Sequence, residues 1–181
     1  MFSEEKVTHM ASHLLIKRGG RMSYMKLLKL LYLAEREGLV KWGETMSGDK
    51  FVSMPHGPVM SSTYDLLQNR NTIWNDFINS EANREVSIKD SVVEEDLDEL
   101  SVAEVKILDS IFEQFGAMGR WEIRDYTHNN CKEWQDPDGS SFPIDPINIL
   151  LAKGVPEIEA SVLLQHGAEQ THLKNMKQIL A

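Results

Sequence analysis

Cysteine is almost absent from this chain of 181 residues, since Cys131 is its single thiol. One cysteine excludes an internal disulfide and is typical of proteins from reducing compartments. No uninterrupted apolar run approaches the roughly 20 residues that span a bilayer. Residues 1–20 carry charges throughout, whereas a signal peptide has an apolar middle. These absences predict a cytoplasmic protein without a membrane segment.

Catalytic motifs are missing as well. The chain has no glycine-rich phosphate loop, no Gly-x-Ser-x-Gly turn and no Cys-x-x-Cys pair. His9 and His13 have the i, i+4 spacing of two zinc ligands on one helix, but Met10 stands where the metalloprotease motif requires glutamate. His128 and Cys131 lie too close in sequence for a typical Cys–His nucleophilic pair. We therefore expect no enzyme activity, no metal and no cofactor.

The charge balance is acidic, with 28 acidic against 19 basic residues and a net charge of −9. Such a chain repels phosphate backbones, so nucleic acid is an unlikely partner and a neutral or basic partner is favoured. A dense acidic run covers residues 94–99, and we interpret it first as a solvated flank of the helix that follows. A sharper hypothesis is that Glu94, Glu95 and Asp96 attract a basic partner and speed its association.

Apolar periodicity predicts a mainly α fold. A helix over residues 3–17 is capped by Ser3, and a second helix over about 23–39 buries a broad leucine-rich arc. Lys29 and Arg36 fall opposite that arc, so this helix is expected to be central but not fully enclosed.

Further helices follow from capping and proline signals. Ser101 and Glu104 form a capping box that opens a strong helix. Other helices are predicted over residues 58–69, 121–128 and from Pro146, with Leu151 facing inward, and a last one runs from Pro156 to about residue 179, broken or kinked near Gly167.

Extended structure is a minor part of this prediction. Residues 50–53 and 84–88 are the two candidates for short strands, against nine helices. The expected fold is therefore one compact helical domain over residues 1–181, mainly α, with at most two short strands and a C-terminal helical extension over residues 145–180.

Three motifs follow one another in the first third of the chain. They are Lys26-Leu27-Leu28-Lys29-Leu30-Leu31-Tyr32-Leu33-Ala34, Gly48-Asp49-Lys50-Phe51 and His56-Gly57-Pro58-Val59. A later short helix ends at His128, and Trp134 follows it. This succession resembles the Panacea domain, the SocA-like antitoxin domain of bacterial and phage toxin–antitoxin systems, over about residues 5–135. The His-Gly-Pro-Val turn is its most specific element.

The resemblance implies an antitoxin of a type II-like system that neutralises a cognate protein toxin, encoded beside it, by direct binding. Some family members carry a DNA-binding helix-turn-helix domain ahead of this one, and none is expected here because the chain begins almost at the first helix. The signature positions that the resemblance carries over are Lys29, Tyr32, Asp49, His56, Gly57, Pro58, Val59, His128 and Trp134.

The roles of these positions stay partly open. Gly57 and Pro58 are assigned to turn geometry, and His56 either fixes the turn or meets a partner. His128 is expected to orient the turn after its helix, and Cys131 to be a small buried side chain.

Partner contacts usually depend on a few aromatic or arginine anchors. Trp42, Trp74 and Trp121 are the candidate anchors, because each lies near a predicted helix end. Three alternative functions stay open, together with a homo-oligomer: a protease adaptor for a toxin, a DNA-binding transcriptional regulator, and a metal-dependent hydrolase built from His9, His13, His56 or His128.

Overall fold

The computed structural model describes residues 1–69 and 72–180, and this part of the chain is mainly α with eight α-helices and six strands. The elements in chain order are α1 (Glu4–Lys17), β1 (Arg21–Ser23), α2 (Tyr24–Trp42), β2 (Phe51–Ser53), β3 (Val59–Met60), α3 (Ser61–Leu66), α4 (Ile73–Phe77), β4 (Ile78–Glu81), β5 (Glu85–Ile88), α5 (Val102–Phe115), α6 (Arg120–Asn130), β6 (Phe142–Pro143), α7 (Pro146–Ala152) and α8 (Glu157–Leu180).

Helix α2 lies at the centre of the domain. It packs against α1, α5, α6, α7 and α8. Leu27, Leu30 and Leu31 are fully or almost fully buried in these contacts, as the leucine periodicity predicts. These five helices therefore surround α2.

The helix starts predicted from capping residues are confirmed at α1 and α5. The Ser3 hydroxyl accepts a hydrogen bond from the Lys6 amide, and the reciprocal capping box of Ser101 and Glu104 opens α5. These bonds satisfy amides that the first helical turn leaves without partners.

Two small antiparallel sheets correct the expectation of at most two strands. Their strand orders are β1-β5-β4 and β3-β2-β6. The predicted strands correspond to β2 and β5, whereas β1, β3, β4 and β6 were not predicted. Segments of two to four residues are too short for alternation to show in a sequence, and they form here because pairing partners lie beside them.

The helix predicted from Pro58 is also corrected. Val59 and Met60 form β3, which pairs with β2 in the register Val52↔Val59, and α3 begins only at Ser61. The extended backbone after Pro58 leaves its carbonyl free to accept a bond from outside the turn.

The last helix is not broken at Gly167, since α8 is continuous through it. A Cβ at Gly167 would lie 2.2 Å from the carbonyl oxygen of Gly43, so glycine is required there for close packing of α8 on the end of α2. Leu151, predicted to face inward, is 41% exposed. Within the described residues, no helix combines the length and the apolarity needed to cross a membrane.

Charged residues on α2 give the largest departure from expectation. Lys29 and Arg36 were predicted to lie on the exposed side of the helix, but they are only 1% and 7% exposed, and Lys26 is 4% exposed. Because a buried charge is costly unless it is paired, these side chains require hydrogen-bond partners from other parts of the chain.

Candidate functional site

Three polar side chains of α2 share one face of the helix and hold two distant loops. Lys29 Nζ donates a 2.7 Å hydrogen bond to the Pro58 carbonyl. The Tyr32 hydroxyl donates to Glu133 Oε1 at 2.5 Å, and Arg36 contacts both carboxylate oxygens of Glu133 at 2.6 and 3.0 Å. The bidentate geometry is the strong form of an ion pair. Helix α2 thereby fixes the position of the segments around residues 58 and 133.

Burial has a large effect on the acid–base behaviour of this face. It lowers the pKa of the Lys29 ammonium to about 7. It also raises the pKa of the Tyr32 hydroxyl, and the negative charge of the neighbouring Glu133 carboxylate raises that pKa further. Desolvation also raises the pKa of the Cys131 thiol to about 12, so this thiol stays protonated at neutral pH.

The His-Gly-Pro-Val motif forms a tight turn on top of Lys29. Gly57 has φ +91° and its amide donates to the Met54 carbonyl. A Cβ at this position would lie 2.8 Å from the His128 ring and 3.0 Å from Lys29 Nζ. Glycine is therefore required both for the backbone conformation and for the close approach of the turn. Pro58 is buried, whereas His56 is exposed.

His128 and Trp134 support the turn from the other side. Their rings stack with centroids 4.1 Å apart and an interplanar angle of 14°, and Trp134 Nε1 donates to the Met54 carbonyl at 3.0 Å. Burial and the nearby charge of Lys29 lower the pKa of the His128 imidazole, against an opposing contribution from the His56 backbone. The lowered pKa favours the neutral form of the ring, and its contact with the turn is what the predicted orienting role of His128 requires.

Asp49 acts at a distance as the cap of α3. Its carboxylate accepts hydrogen bonds from the amides of Ser62 and Thr63 and from the Thr63 hydroxyl, at 2.7 to 2.9 Å. A carboxylate at a helix start satisfies free amides and interacts favourably with the helix dipole. This signature residue therefore stabilises the fold.

A cleft of about 490 Å³ opens beside the turn, and we call it the His56 cleft. Its floor and walls combine apolar, aromatic and a few polar groups. It is lined by Tyr24, Met25, Leu28, Lys29, Met54, Pro55, His56, Gly57, Val59, Tyr64, Gly139, Ser140 and Ser141. Such a mixture is typical of binding sites.

Trp121 is the best exposed of the candidate anchors, at 46%. The guanidinium groups of Arg120 and Arg124 lie 5.2 and 4.8 Å from its ring centroid, within range of cation–π attraction. A second depression contains Trp121, Arg120 and Arg84 and shares Tyr24 and Met25 with the His56 cleft. The two depressions thus adjoin each other.

The other predicted contact residues differ in exposure. Trp74 is 1% exposed in the core, so its side chain offers no surface to a partner and we do not retain it as an anchor. Trp42 is partly buried against the core. Glu94, Glu95 and Asp96 are exposed, and Asp96 accepts a bond from the Val93 amide.

The remaining histidines on α1 have protein partners. His9 Nδ1 accepts from the Glu99 amide at 3.3 Å, and His13 Nε2 lies 2.8 Å from Asp109 Oδ1. Across residues 1–69 and 72–180, no three His, Cys, Asp or Glu side chains are grouped so that they could hold a metal ion.

Sequence reasoning missed Arg36 and Glu133 as members of this site. It also missed Glu35, whose fully buried carboxylate accepts bonds from Met46 and Ser47 and whose pKa burial raises to about 7. For Glu35 and Arg36 the only available signal was their position on a helix rich in leucine, where a charge is costly unless it is paired. Glu133 lies in the loop after α6.

Removal of the Glu133 carboxylate tests the buried ion pair. Glu133→Ala should lower the free energy of unfolding by about 3–5 kcal/mol, because it leaves the Arg36 charge buried and unpaired. Glu37→Ala is the matched control, since it removes an acid paired with Lys153 on the surface and should cost less than about 1 kcal/mol. Urea unfolding of both variants measures this, and equal costs would contradict the structure.

The close packing of the turn predicts a difference between two glycines. Gly57 and Gly154 have similar φ values, +91° and +84°, but only Gly57 lacks room for a Cβ. Gly154→Ala should cost about 1–2 kcal/mol from backbone strain alone, and Gly57→Ala should cost more. Thermal melts compare them; a Gly57→Ala protein as stable as Gly154→Ala would show that the turn does not press on Lys29 and His128.

The lowered pKa of Lys29 predicts a pH dependence. Between pH 10.5 and about 7, the unfolded chain binds a proton that the folded chain does not, so wild-type stability should fall as the pH decreases. Lys29→Met removes this pH-dependent part of the free energy of unfolding, which amounts to about 1.4 kcal/mol for each unit by which the pKa differs between the folded and the unfolded chain. Denaturant unfolding of both proteins at pH 7, 8 and 9 should show that the variant gains stability relative to wild type as the pH falls. A constant difference would mean that Lys29 keeps an ordinary pKa.

Most of the site lies in a segment that matches a known protein family. A family model described as "Antitoxin SocA-like, Panacea domain" matches residues 27–135, more than half of the chain. The match includes all nine signature positions and excludes α1, α7 and α8. The comparisons with curated proteins and with solved structures gave no match. This chain therefore belongs to the family of SocA-like antitoxins that is defined by the Panacea domain.

Proposed function

We propose that this protein neutralises a protein toxin by direct, stoichiometric binding without catalytic turnover, in the cytoplasm, and that the toxin docks on the His56 cleft. The observation that carries this proposal is the convergence of signature positions. Lys29, His56, Gly57 and Val59 line the cleft, and His128 and Trp134 pack directly beneath or beside its turn.

Rigidity of the turn supports a docking role. The backbone around His56 is fixed by the Lys29–Pro58 bond, by the Trp134–Met54 bond and by the contact of Gly57 with His128. A surface that is ordered before binding loses less conformational entropy when a partner arrives. The exposed imidazole of His56 is thereby presented in a defined position.

The composition of the surface also favours a protein partner. Tyr24, Met25 and Tyr64 lie partly exposed along the cleft, and tyrosine and methionine are enriched at interfaces. Trp121 with Arg120 and Arg124 extends the same surface. Tryptophan, tyrosine and arginine are the residues that most often carry binding energy.

The acidic residues Glu94, Glu95 and Asp96 keep their proposed role in steering a basic toxin, which raises the association rate more than the affinity. Asp96 also caps its own turn, so a test of steering replaces Glu94 and Glu95 only.

Delivery of the toxin to a protease is compatible with the same docking surface.

The docking proposal is tested with the protein encoded by the adjacent gene. His56→Ala combined with Tyr64→Ala should weaken its binding at least tenfold, because hot-spot side chains contribute more than about 1 kcal/mol each, and should reduce rescue of cells that express it. Val102→Ala is the control, since Val102 is 73% exposed on α5 and lies outside the cleft. Calorimetry measures the affinities, and thermal melts verify folding.

Three results would overturn parts of this proposal. Unchanged affinity in the cleft variant would remove the cleft as the docking site. If Trp121→Ala weakened binding and the cleft variant did not, the toxin contact would lie in the neighbouring depression. No binding of the adjacent gene product by the wild-type protein would count against neutralisation by direct contact.

A further inference from the structure

One face of α8 anchors this helix to the domain. Ala160 is fully buried, and Gly167 packs so closely on the end of α2 that a Cβ would meet the Gly43 carbonyl oxygen at 2.2 Å. The Thr171 hydroxyl donates a hydrogen bond to the Glu44 carboxylate. These residues lie on the same side of the helix, so the opposite side must point away from the domain.

The outward side carries an apolar stripe, which we call the outer stripe. With about 100° of rotation per residue, six residues between Ile158 and Met176 fall within an arc of about 80°, opposite Gly167. The four apolar members are between 46% and 81% exposed. The outer stripe consists of Ile158, Val162, Gln165, Glu169, Leu173 and Met176. An ordinary solvent-facing helix side is polar, so this one has the composition of a contact surface.

The order of residues along the outer stripe indicates what covers it. The order reads apolar, apolar, polar and then polar, apolar, apolar, with its midpoint at Gly167. If a second copy of α8 lies antiparallel on the first, Ile158 meets Met176 and Val162 meets Leu173. Self-complementarity of this kind is what a two-fold symmetric interface requires.

Charge also selects the antiparallel orientation. In a parallel pair the Glu169 carboxylates would face each other, and like charges at a contact are destabilising. In the antiparallel pair each Glu169 meets the Gln165 amide of the other copy. Within one chain Gln165 Nε2 already donates to Glu169 Oε1 at 3.0 Å, so the same two groups would form a closed polar cluster at the centre of the interface.

We propose that this protein forms a homodimer through the outer stripe of α8, with the two helices antiparallel and the two-fold axis crossing the stripe at the level of Gly167. The contact runs from Ile158 to Met176, roughly 27 Å along the helix at about 1.5 Å per residue. It lies outside the segment that the Panacea family model matches, and it does not depend on where a toxin binds.

Sedimentation at several protein concentrations tests self-association of the full chain. We expect a mass twice the 20.7 kDa of one chain. Val162→Glu combined with Leu173→Glu should give the single-chain mass, whereas Val102→Glu, at another exposed valine, should leave the dimer intact. Circular dichroism verifies that the variants keep their helices. A wild-type protein that sediments as one chain at high micromolar concentration would overturn the proposal.

Cysteine cross-linking tests the orientation. Cys131 is fully buried, so an added surface cysteine is the accessible thiol among the described residues. A mixture of Val162→Cys and Leu173→Cys chains, treated with a short bis-maleimide, should give a cross-link between the two different variants and little with either variant alone. Cross-linking within one variant would show a parallel pair and overturn the antiparallel arrangement. Amide-exchange protection of residues 158–176 that appears only when toxin is added would show that the toxin covers the outer stripe, and would likewise overturn the proposal.

Discussion

The structure depends on the burial of basic side chains along its central helix. Lys29 and Arg36 lie on α2 among leucines, where an unpaired charge would cost several kcal/mol. The partners that make this tolerable are the Pro58 carbonyl and the Glu133 carboxylate, which belong to loops 29 and 97 residues away. These two contacts hold both loops against α2. The polar face of α2 therefore specifies the shape of the His56 cleft.

This constraint connects packing with recognition. A loop held by hydrogen bonds to a buried helix has few alternative conformations, and the side chain at its tip is presented in a fixed direction. His56 occupies such a tip, inside the turn that the hydrogen bond from the Gly57 amide to the Met54 carbonyl closes, shortly before β3 begins at Val59. Buried signature residues such as Lys29, Gly57 and Pro58 shape the turn, and the exposed His56 is available to a partner. In the proposed docking mode, stability and binding therefore depend on different atoms of the same motif.

The sequence was a good guide wherever the information is local. The caps at Ser3 and Ser101 and the leucine face of α2 follow from spacing alone, and so they were predicted correctly. Burial of Lys29 and Arg36 was missed because these residues fall opposite the leucine arc on a helical wheel. A charged side of a helix is interpreted as exposed unless a distant partner is known. Four of the six short strands were missed for a similar reason, since β3, for example, exists because Val52 of β2 pairs with Val59. The resemblance identified the residues of the site, but their division into supporting and exposed groups required the packed structure.

The distribution of charge decides how far the acidic composition constrains a partner. A net charge of −9 governs the field at long range, where it attracts basic molecules, but within about 10 Å at moderate ionic strength the local side chains dominate. The surface beside the His56 cleft carries Arg84, Arg120 and the Trp121 ring, a group suited to contact with carboxylates or aromatic rings. A toxin that is basic overall is attracted by the net negative charge, and an acidic or aromatic segment on its surface fits the local group of arginines and tryptophan. Long-range attraction and local fit therefore make separate demands on the partner, and each can be met by a different part of its surface.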